Sequence, residues 1–354
     1  MTTGTTKPTP RDRPVLDDSV RVDGGVVRIL DRRVFPERLE WVEAADAEQV
    51  AAAITAMVTQ SSGPLFAAYA GLELTALQVR DLPLEAATDR MRAAGSALEN
   101  ARPTNNHPRE AVEHVLAAIA PATTTAALVE AAVEAARTGA ESYRARSHRL
   151  GVETAALLAD GARVLTHCWM DTYLIELVRA AREAGKSFEW VATETRPYLQ
   201  GARLTSHTLA EFGERVTLIT DGMGAAALAP GSTLGRVDAL VTAADRVSLD
   251  GSVVNKVGTL GLAVAASAFE VPFYALVQAP DPAAPTAADI VVEERDPAEV
   301  LHTLSRRTAS PLVTEAWYPA FDVTPARFVT RVVTDRGAFE PATVGESYYG
   351  GGAR

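Results

Sequence analysis

Short, wholly apolar runs alternate with longer amphipathic segments in the second half of the chain, beyond about Val152. Runs that are apolar throughout suit strands covered on both faces, and helices between them supply the crossovers of a parallel sheet. The pattern predicts a Rossmann-like domain over residues 146–354. The predicted strands are ARVLTHC, FEWVAT, RVTLIT, VDALVTAA, PFYALVQ and IVV, and the helical segments include IELVRAAREAG, SHTLAEFG and TLGLAVAASAFE.

The first half of the chain has a different pattern. From Asp46 to about Thr138, apolar residues recur at helical spacing in segments such as DAEQVAAAITAMV, LEAATDRMRAAGSALENA and HPREAVEHVLAAIA. The stretch VVRILDRRVFP before them predicts a short strand or two. Pro and Gly predict breaks between the helices at Gly63–Pro64, Pro83, Pro103 and Pro108.

These patterns predict an α/β protein with two domains. Residues 21–145 form a mainly helical N-terminal domain with a small β element, and the Rossmann-like parallel-sheet domain follows. Residues 1–20 are rich in Thr, Pro and charge, so they predict a flexible tail.

Composition and charge restrict the function classes. The 354 residues include 34 Lys and Arg against 45 Asp and Glu, and this formal charge of −11 argues against nucleic-acid and membrane-surface partners. The N-terminus lacks the apolar stretch of a signal peptide, no apolar run is long enough to span a bilayer, and a single cysteine fits a reducing compartment. We therefore expect a cytoplasmic protein.

No glycine-rich loop of the GxGxxG or Walker type follows a predicted strand, and no metal-ligand spacing is visible. The sequence therefore predicts neither a dinucleotide, a metal nor another cofactor.

Reactive side chains follow the predicted strands. Ligands of open α/β sheets bind beyond the carboxyl ends of the strands. The residues at these ends are His167-Cys168, Glu194 to Pro197, Asp221-Gly222 and Asp245-Arg246. A thiol there can act as a base or nucleophile, and a carboxyl in a dry pocket can act as an acid. On position alone, the commoner role of a lone cysteine such as Cys168 is that of a buried core residue, and an aspartate placed like Asp245 is often a helix cap or part of an ion pair.

Longer segments carry a family resemblance. ETRPYLQGARLTSHTLAEFG, VTLITDGM, AADRVSLDGSVVNKVGTLGLAVAA and YPAFDVTPARFVT, with RILDRRVFPE and ARPT nearer the N-terminus, resemble the methylthioribose-1-phosphate isomerase family. That family belongs to a superfamily with ribose-1,5-bisphosphate isomerases and the regulatory subunits of translation initiation factor 2B. The resemblance implies an aldose–ketose isomerase that converts 5-methylthioribose 1-phosphate, or another 5-substituted ribose 1-phosphate, to the ribulose 1-phosphate form.

The resemblance also implies the site. Cys168 and Asp245 become the catalytic pair, in a cleft between the two domains of a homodimer that binds a small sugar phosphate without a cofactor. Such a reaction needs one acid and one base, with cations for the phosphate and amides for the hydroxyls. The implied substrate-binding residues are Gln60, Ser61, Ser62, Arg102, Gln200, Asn255 and Lys256.

Three departures from the family bear on the substrate. The family's phosphate-binding Arg-Gly-Ala-Pro segment is replaced by MVTQSSGP, with Gln60 where the arginine is expected. Large residues from Trp169 to Tyr173 follow the cysteine, where the family has Asn and small residues. Asn105 and Asn106 after ARPT make that wall more polar.

Three alternatives remain. One is a ribose-1,5-bisphosphate isomerase, and another is a non-catalytic sugar-phosphate or nucleotide-sensing relative of the initiation factor 2B subunits. The third, a plain oligomeric scaffold, predicts a rim without reactive groups, which the sequence does not have. We favour the enzyme, because a purely regulatory protein has no need to retain both Cys168 and Asp245.

Overall fold

The computed structural model describes residues 10–102 and 105–350, and these residues fall into two compact units. One unit is Val15–Ala145, and the other combines the described residues of Met1–Pro14 and Arg146–Arg354. Part of the expected tail belongs to the fold, because Val15–Asp18 form a 3-10 helix in which Leu16 is buried. Residues 1–9 of that tail lie outside the described residues.

The smaller unit begins with an antiparallel sheet and continues with helices. Its strands pair in the order β1-β2-β3. The strands are β1 (Val20–Asp23), β2 (Val26–Leu30) and β3 (Trp41–Ala44). The helices are α1 (Ala47–Thr55), α2 (Gly63–Gln78), α3 (Leu84–Glu99), α4 (Asn106–Ile119) and the long α5 (Thr125–Leu157), which contains the boundary between the units. Helix α2 is the centre of this unit, because it packs against α1, α3 and α4 and buries most of its residues.

The predicted breaks fall mostly at helix starts. Gly63 and Pro64 open α2, and Pro83 is the residue before α3. Pro108 lies in the first turn of α4, as Pro64 does in α2, so the break between α3 and α4 comes just before it. The first turn tolerates proline because its N–H groups have no partner within the helix. Pro103 lies outside the described residues.

The larger unit is built on a seven-stranded sheet with the order β15-β14-β10-β7-β4-β5-β6. All neighbours in it are parallel except the edge pair β14 and β15. The strands are β4 (Arg163–Thr166), β5 (Glu189–Thr193), β6 (Arg215–Ile219), β7 (Ala239–Ala243), β10 (Phe273–Leu276), β14 (Arg331–Thr334) and β15 (Gly337–Phe339). The helices are α6 (Thr172–Glu183), α7 (Ser206–Phe212), α8 (Gly224–Leu228), α9 (Thr259–Ala268), α10 (Ala298–Leu301) and α11 (Val344–Gly350).

The chain after β7 also contributes to a small antiparallel sheet of three strands, in the order β13-β9-β8. Strands β11 and β12 form a separate two-stranded hairpin, which lies between β9 and β13 in the sequence. The strands are β8 (Arg246–Val247), β9 (Val253–Lys256), β11 (His302–Thr303), β12 (Arg306–Arg307) and β13 (Phe321–Thr324). In its register, Phe321 is opposite Lys256 and Asp322 is opposite Asn255.

Five of the six predicted strands of the large sheet are confirmed, as β4, β5, β6, β7 and β10. The sixth, IVV, was wrong. It follows a 3-10 helix with a Thr286–Asp289 capping box, and its Val291 is 81% exposed. Three residues of which one faces water cannot form a strand covered on both faces, and the sheet continues through β14 instead.

The strand order decides where the candidate chemistry lies. Strands β7, β4, β5 and β6 are consecutive and parallel, so their carboxyl ends share one edge of the sheet. No helix among the described residues is both long enough and apolar enough to span a membrane.

Candidate active site

Cys168 lies just beyond the carboxyl end of β4 in a constrained backbone conformation. Its φ of 71° is in the left-handed region, as is the φ of 59° at Thr195 beyond β5. The Cys168 N–H donates to Thr195 Oγ1 at 3.0 Å, and Thr205 Oγ1 donates to the Cys168 carbonyl at 2.5 Å. Non-glycine residues keep this conformation only when their surroundings impose it, and such residues cluster at functional sites.

The thiol of Cys168 has a defined polar environment. Gln200 Nε2 donates to Sγ at 3.2 Å. Burial raises the pKa of Cys168 to about 11, with the charge of Asp245 adding to the rise and that of Lys256 opposing it. Cys168 therefore carries its proton at neutral pH.

His167 connects the ends of β4 and β5 to the segment before α9. Its Nε2 lies 2.9 Å from the Val257 carbonyl, and its Nδ1 lies 2.6 Å from Thr193 Oγ1. A carbonyl only accepts, so Nε2 carries the hydrogen, and Nδ1 of the neutral ring accepts from the threonine hydroxyl. Burial lowers the pKa of His167, which favours this neutral form. Both ring nitrogens are therefore occupied, and a packing role fits the histidine.

Asp245 and Lys256 are the two charged groups that act on the thiol. Asp245 follows β7, is exposed, and its N–H donates to the Val254 carbonyl at 2.9 Å. Lys256 ends β9 and is buried, with Nζ 4.4 Å from the centre of the Phe321 ring and 5.9 Å from that of Tyr318. Two aromatic faces thus fix the ammonium by cation–π attraction.

Asn255, beside Lys256, joins β9 to helix α9. The residue is 1% exposed, and its Nδ2 donates to Thr259 Oγ1 at 3.0 Å. Thr259 Oγ1 in turn donates to the Lys256 carbonyl at 2.7 Å. The side-chain amide of Asn255 therefore has a structural bond to the start of helix α9.

Asp322 on β13 fixes the start of the same helix. Its carboxylate accepts from the N–H of Gly258 at 2.7 Å and from that of Leu260 at 3.1 Å. These are N–H groups that helix geometry leaves without partners. Burial raises the pKa of Asp322 to about 6, against the opposing effects of these two bonds and of Lys256.

Gln200 is presented by the loop after β5. Asp221, beyond β6, fixes this loop by accepting from the N–H groups of Thr195 at 2.8 Å and Arg196 at 2.7 Å. Gln200 then precedes a π-helical turn, Gly201–Thr205. The residue is buried, and its Oε1 has no hydrogen-bond partner in the described part of the chain.

Other charged groups at the strand ends serve the scaffold. The Arg196 guanidinium donates to the carbonyls of Pro197, His302 and Val300, each at 3.0 Å. Arg246 pairs with Asp281, its Nε donating at 2.7 Å. These bonds leave Cys168, Asp245, Gln200, Asn255 and Lys256 as the candidate group of the larger unit.

The remaining predicted site residues lie in the smaller unit, around the start of α2. Gln60 is buried, and its Nε2 has no hydrogen-bond partner among the described residues. Ser61 has a φ of 60°, and its carbonyl accepts from His107 Nδ1 at 3.1 Å and from Asn105 Nδ2 at 3.4 Å. Ser62 is the buried residue before α2, and Arg102 is half-buried.

Arg32 is a residue of this region that the sequence did not single out. It is 1% exposed, donates from Nη1 to the Gln60 carbonyl at 2.7 Å, and donates from Nη2 to Ser19 Oγ at 2.8 Å. The arginine thus brings a buried positive charge to the segment from which the family's arginine is missing. In the sequence it cannot be told from its exposed neighbour Arg33.

No group of three or more His, Cys, Asp or Glu side chains within residues 10–102 and 105–350 is arranged to hold a metal ion.

Comparison with known proteins identifies a family. The family model described as "Initiation factor 2 subunit family" matches residues 61–341. A methylthioribose-1-phosphate isomerase of Anaeromyxobacter dehalogenans is 41% identical over 339 residues, which cover 92% of this chain and 93% of that protein. The enzyme of the same name from Pelotomaculum thermopropionicum is 36% identical over 341 residues, covering 92% and 91%.

Solved structures of similar shape come from two functional groups. The 5-methylthioribose 1-phosphate isomerase of Pyrococcus horikoshii OT3 has a TM-score of 0.84 and 30% identity, covering 95% of this chain and 96% of that one. The delta subunit of translation initiation factor eIF-2B from A. fulgidus has a TM-score of 0.79 and 33% identity, covering 91% and 96%. The overall fold is therefore shared by enzymes and translation factors.

Proposed function

Because the chain belongs to the initiation factor 2 subunit family and is similar to methylthioribose-1-phosphate isomerases, we propose that it is an aldose–ketose isomerase. Its substrate is a 5-substituted ribose 1-phosphate, with 5-methylthioribose 1-phosphate the first compound to test. The observation that supports this most directly is the single thiol of the chain, bonded by Gln200 and influenced by Asp245 and Lys256. A scaffold has no use for such a group.

The reaction moves hydrogen from C2 to C1 of the sugar while the ring opens, and it leaves the atoms of the substrate unchanged in number. It is therefore an intramolecular oxidation and reduction in which no outside electron acceptor takes part. Cys168 enters as a thiol and donates a proton to the ring oxygen of the sugar, because its raised pKa keeps it protonated. The bond from C1 to that ring oxygen breaks, the hydrogen on C2 passes to C1 with its electron pair, and Asp245 accepts the proton that leaves the C2 hydroxyl as it becomes the ketone. The proton held by Asp245 then returns to Cys168, which restores the site.

Positive charge and amides would hold the substrate. Lys256 supplies an ammonium that its aromatic neighbours fix in place, and Asn255 and Gln200 supply oriented amides. The roles of Gln60, Ser61, Ser62 and Arg102 in substrate binding are carried over from the family resemblance, and they too are proposals. We further propose a homodimeric, cytoplasmic protein whose partner is a small sugar phosphate and which binds no nucleic acid.

A non-catalytic sensing role is the second candidate, and the similarity to the eIF-2B delta subunit favours it. Ribose 1,5-bisphosphate is the second substrate to test, since the residues that follow Cys168, from Trp169 to Tyr173, depart from those of the methylthioribose enzymes.

The test is to incubate the purified protein with 5-methylthioribose 1-phosphate and follow the ketose product by NMR. We expect turnover in the wild type and a loss of at least about 100-fold in kcat for Cys168→Ser and Asp245→Asn, the scale of a lost acid or base. Gly261→Ala, at an exposed position of α9 with free space around it, is the matched control. Tight binding of this sugar or of ribose 1,5-bisphosphate without turnover would instead identify the sensing protein.

A further inference from the structure

Tyr318 opens the segment YPAFDVTPARFVT and is a buried tyrosine to which the proposed mechanism assigns no role. It is 3% exposed, and its ring centre lies 5.9 Å from Lys256 Nζ. Burial raises the pKa of Tyr318 to about 12, and the charge of a Cys168 thiolate is among the further contributions. The phenol is therefore close to Cys168 and remains a neutral hydrogen-bond donor throughout the physiological range.

The backbone holds Tyr318 rigidly. Its carbonyl accepts from the Arg295 N–H at 3.1 Å, and the next residue, Pro319, forms a β-bridge with Glu294. Ala320 then continues this pairing, because its N–H donates to the Glu293 carbonyl at 2.8 Å. This pairing on both sides of Tyr318 fixes its backbone and so the point from which its side chain starts.

The Tyr318 hydroxyl nevertheless bonds to none of the other described residues. The side-chain amide of Gln200 is hydrogen-bonded at one end only. Its Nε2 donates to Cys168 Sγ, while its buried Oε1 has no partner within the described residues. A buried polar atom without a partner is costly, so the Oε1 atom of Gln200 indicates a site built for a polar ligand, and the Tyr318 hydroxyl is a second polar group available to that ligand.

The chemistry of Gln200 Oε1 and of the Tyr318 hydroxyl indicates which part of the ligand they contact. An amide oxygen only accepts hydrogen bonds, so Gln200 Oε1 repels a phosphate dianion and suits a hydroxyl group. A phenol can donate to one sugar oxygen and accept from another. The surroundings of Sγ are thus suited to the hydroxyl-bearing carbons of a sugar.

We propose that Tyr318 contacts the substrate directly, its hydroxyl binding a sugar oxygen beside Cys168 while Gln200 Oε1 accepts from a neighbouring sugar hydroxyl. This inference rests on the proposed function for the identity of the sugar. It adds to that function a specificity-determining residue and assigns the side of the site near Cys168 to the sugar.

The experiment compares the wild type with Tyr318→Phe, which keeps the ring over Lys256 and removes only the hydroxyl. The matched control is Tyr349→Phe in helix α11, which removes a hydroxyl that donates to the Pro280 carbonyl. Two quantities are measured for each protein. One is kcat/KM with 5-methylthioribose 1-phosphate, and the other is the concentration of this sugar that protects Cys168, the only cysteine of the chain, from alkylation by iodoacetamide.

We expect Tyr318→Phe to lower kcat/KM about 10-fold and to raise the protecting concentration by a similar factor, the usual effect of removing one partner of a buried hydrogen bond. Protection by inorganic phosphate should be the same in both proteins, because the hydroxyl contacts the sugar. Tyr349→Phe should match the wild type, and equal melting temperatures should show that both variants are folded.

The outcomes separate the two proposals. Protection that depends on Tyr318 without turnover would refute the isomerase and support the inference. Any one of three results would overturn the inference. Tyr318→Phe could leave both turnover and protection unchanged, Tyr349→Phe could cause an equal loss, or the sugar could fail to protect the wild type.

Discussion

Cys168 responds to two charges of opposite sign. Lys256 favours its thiolate and Asp245 favours its thiol, while burial favours the thiol more strongly than either. Because alkylating agents react with the thiolate alone, the rate of alkylation reports the sum of these effects. The measured rate belongs to Cys168 alone, since the chain has one cysteine.

At constant pH between 7 and 9, Lys256→Met should slow alkylation of Cys168 by iodoacetamide, and Asp245→Asn should accelerate it. Each change should reach at most about tenfold, the effect of one pKa unit on the thiolate fraction. The wild-type rate should still be rising at pH 9, because the pKa of Cys168 is about 11. Arg246→Met, which removes a cation paired with Asp281, is the control. Changes of the same sign in both variants would contradict the electrostatic account.

At the scale of elements, the site depends on the backbone at the start of helix α9. Gly258 precedes the helix with a φ of 110°, donates its N–H to Asp322, and lies against the ring of His167. One glycine thus connects the end of β4, strand β13 and the helix that follows Lys256. The need for glycine is steric as well as conformational, since a Cβ there would lie 2.9 Å from two atoms of the imidazole.

Gly258→Ala should destabilise the protein by about 1–3 kcal/mol, because the new Cβ both strains the backbone and displaces His167. Urea unfolding measures this free energy. Gly261→Ala in the same helix meets no atom within 4 Å. It should be neutral or stabilise by up to about 1 kcal/mol, since alanine loses less backbone entropy. Equal effects of the two changes would contradict both the backbone strain at residue 258 and the close contact with His167.

At the scale of the whole molecule, one buried carboxyl links stability to pH. The pKa of Asp322 is raised by burial from 3.8 to about 6 in the fold. The folded state therefore binds more protons than the unfolded state between these values. The contribution of this group to stability is complete below about pH 4 and is lost as the pH rises through about 6.

Asp322→Asn removes this titration. The free energy of unfolding of the variant, relative to the wild type, should increase by about 1–2 kcal/mol between pH 4.5 and pH 7. Urea unfolding at the two pH values gives the difference, whatever the variant's stability at either one. A difference that is constant or decreases with pH would contradict the raised pKa of Asp322.

Much of this protein could be predicted from local sequence. Apolar runs such as VDALVTAA, which forms the buried strand β7, predict a covered strand by their composition, and the helices of the first half follow from their periodicity. Cys168 and Asp245 became candidates because residues after parallel strands gather at one edge, and the order β7-β4-β5-β6 confirms that edge. The short IVV run was misread because its surroundings, and not its composition, expose Val291.

Tertiary structure alone decided what each polar group is bonded to. Arg196 and Cys168 both follow a strand, yet their partners differ. The arginine donates to three carbonyls, whereas the thiol accepts from Gln200 and is influenced by the charge of Lys256. The sequence determined which reactive groups reach the sheet edge, because strand ends are a local property. It did not determine that Tyr318 lies beside the thiol or that Arg32 is buried while Arg33 is exposed. Those facts depend on contacts between segments distant in the chain.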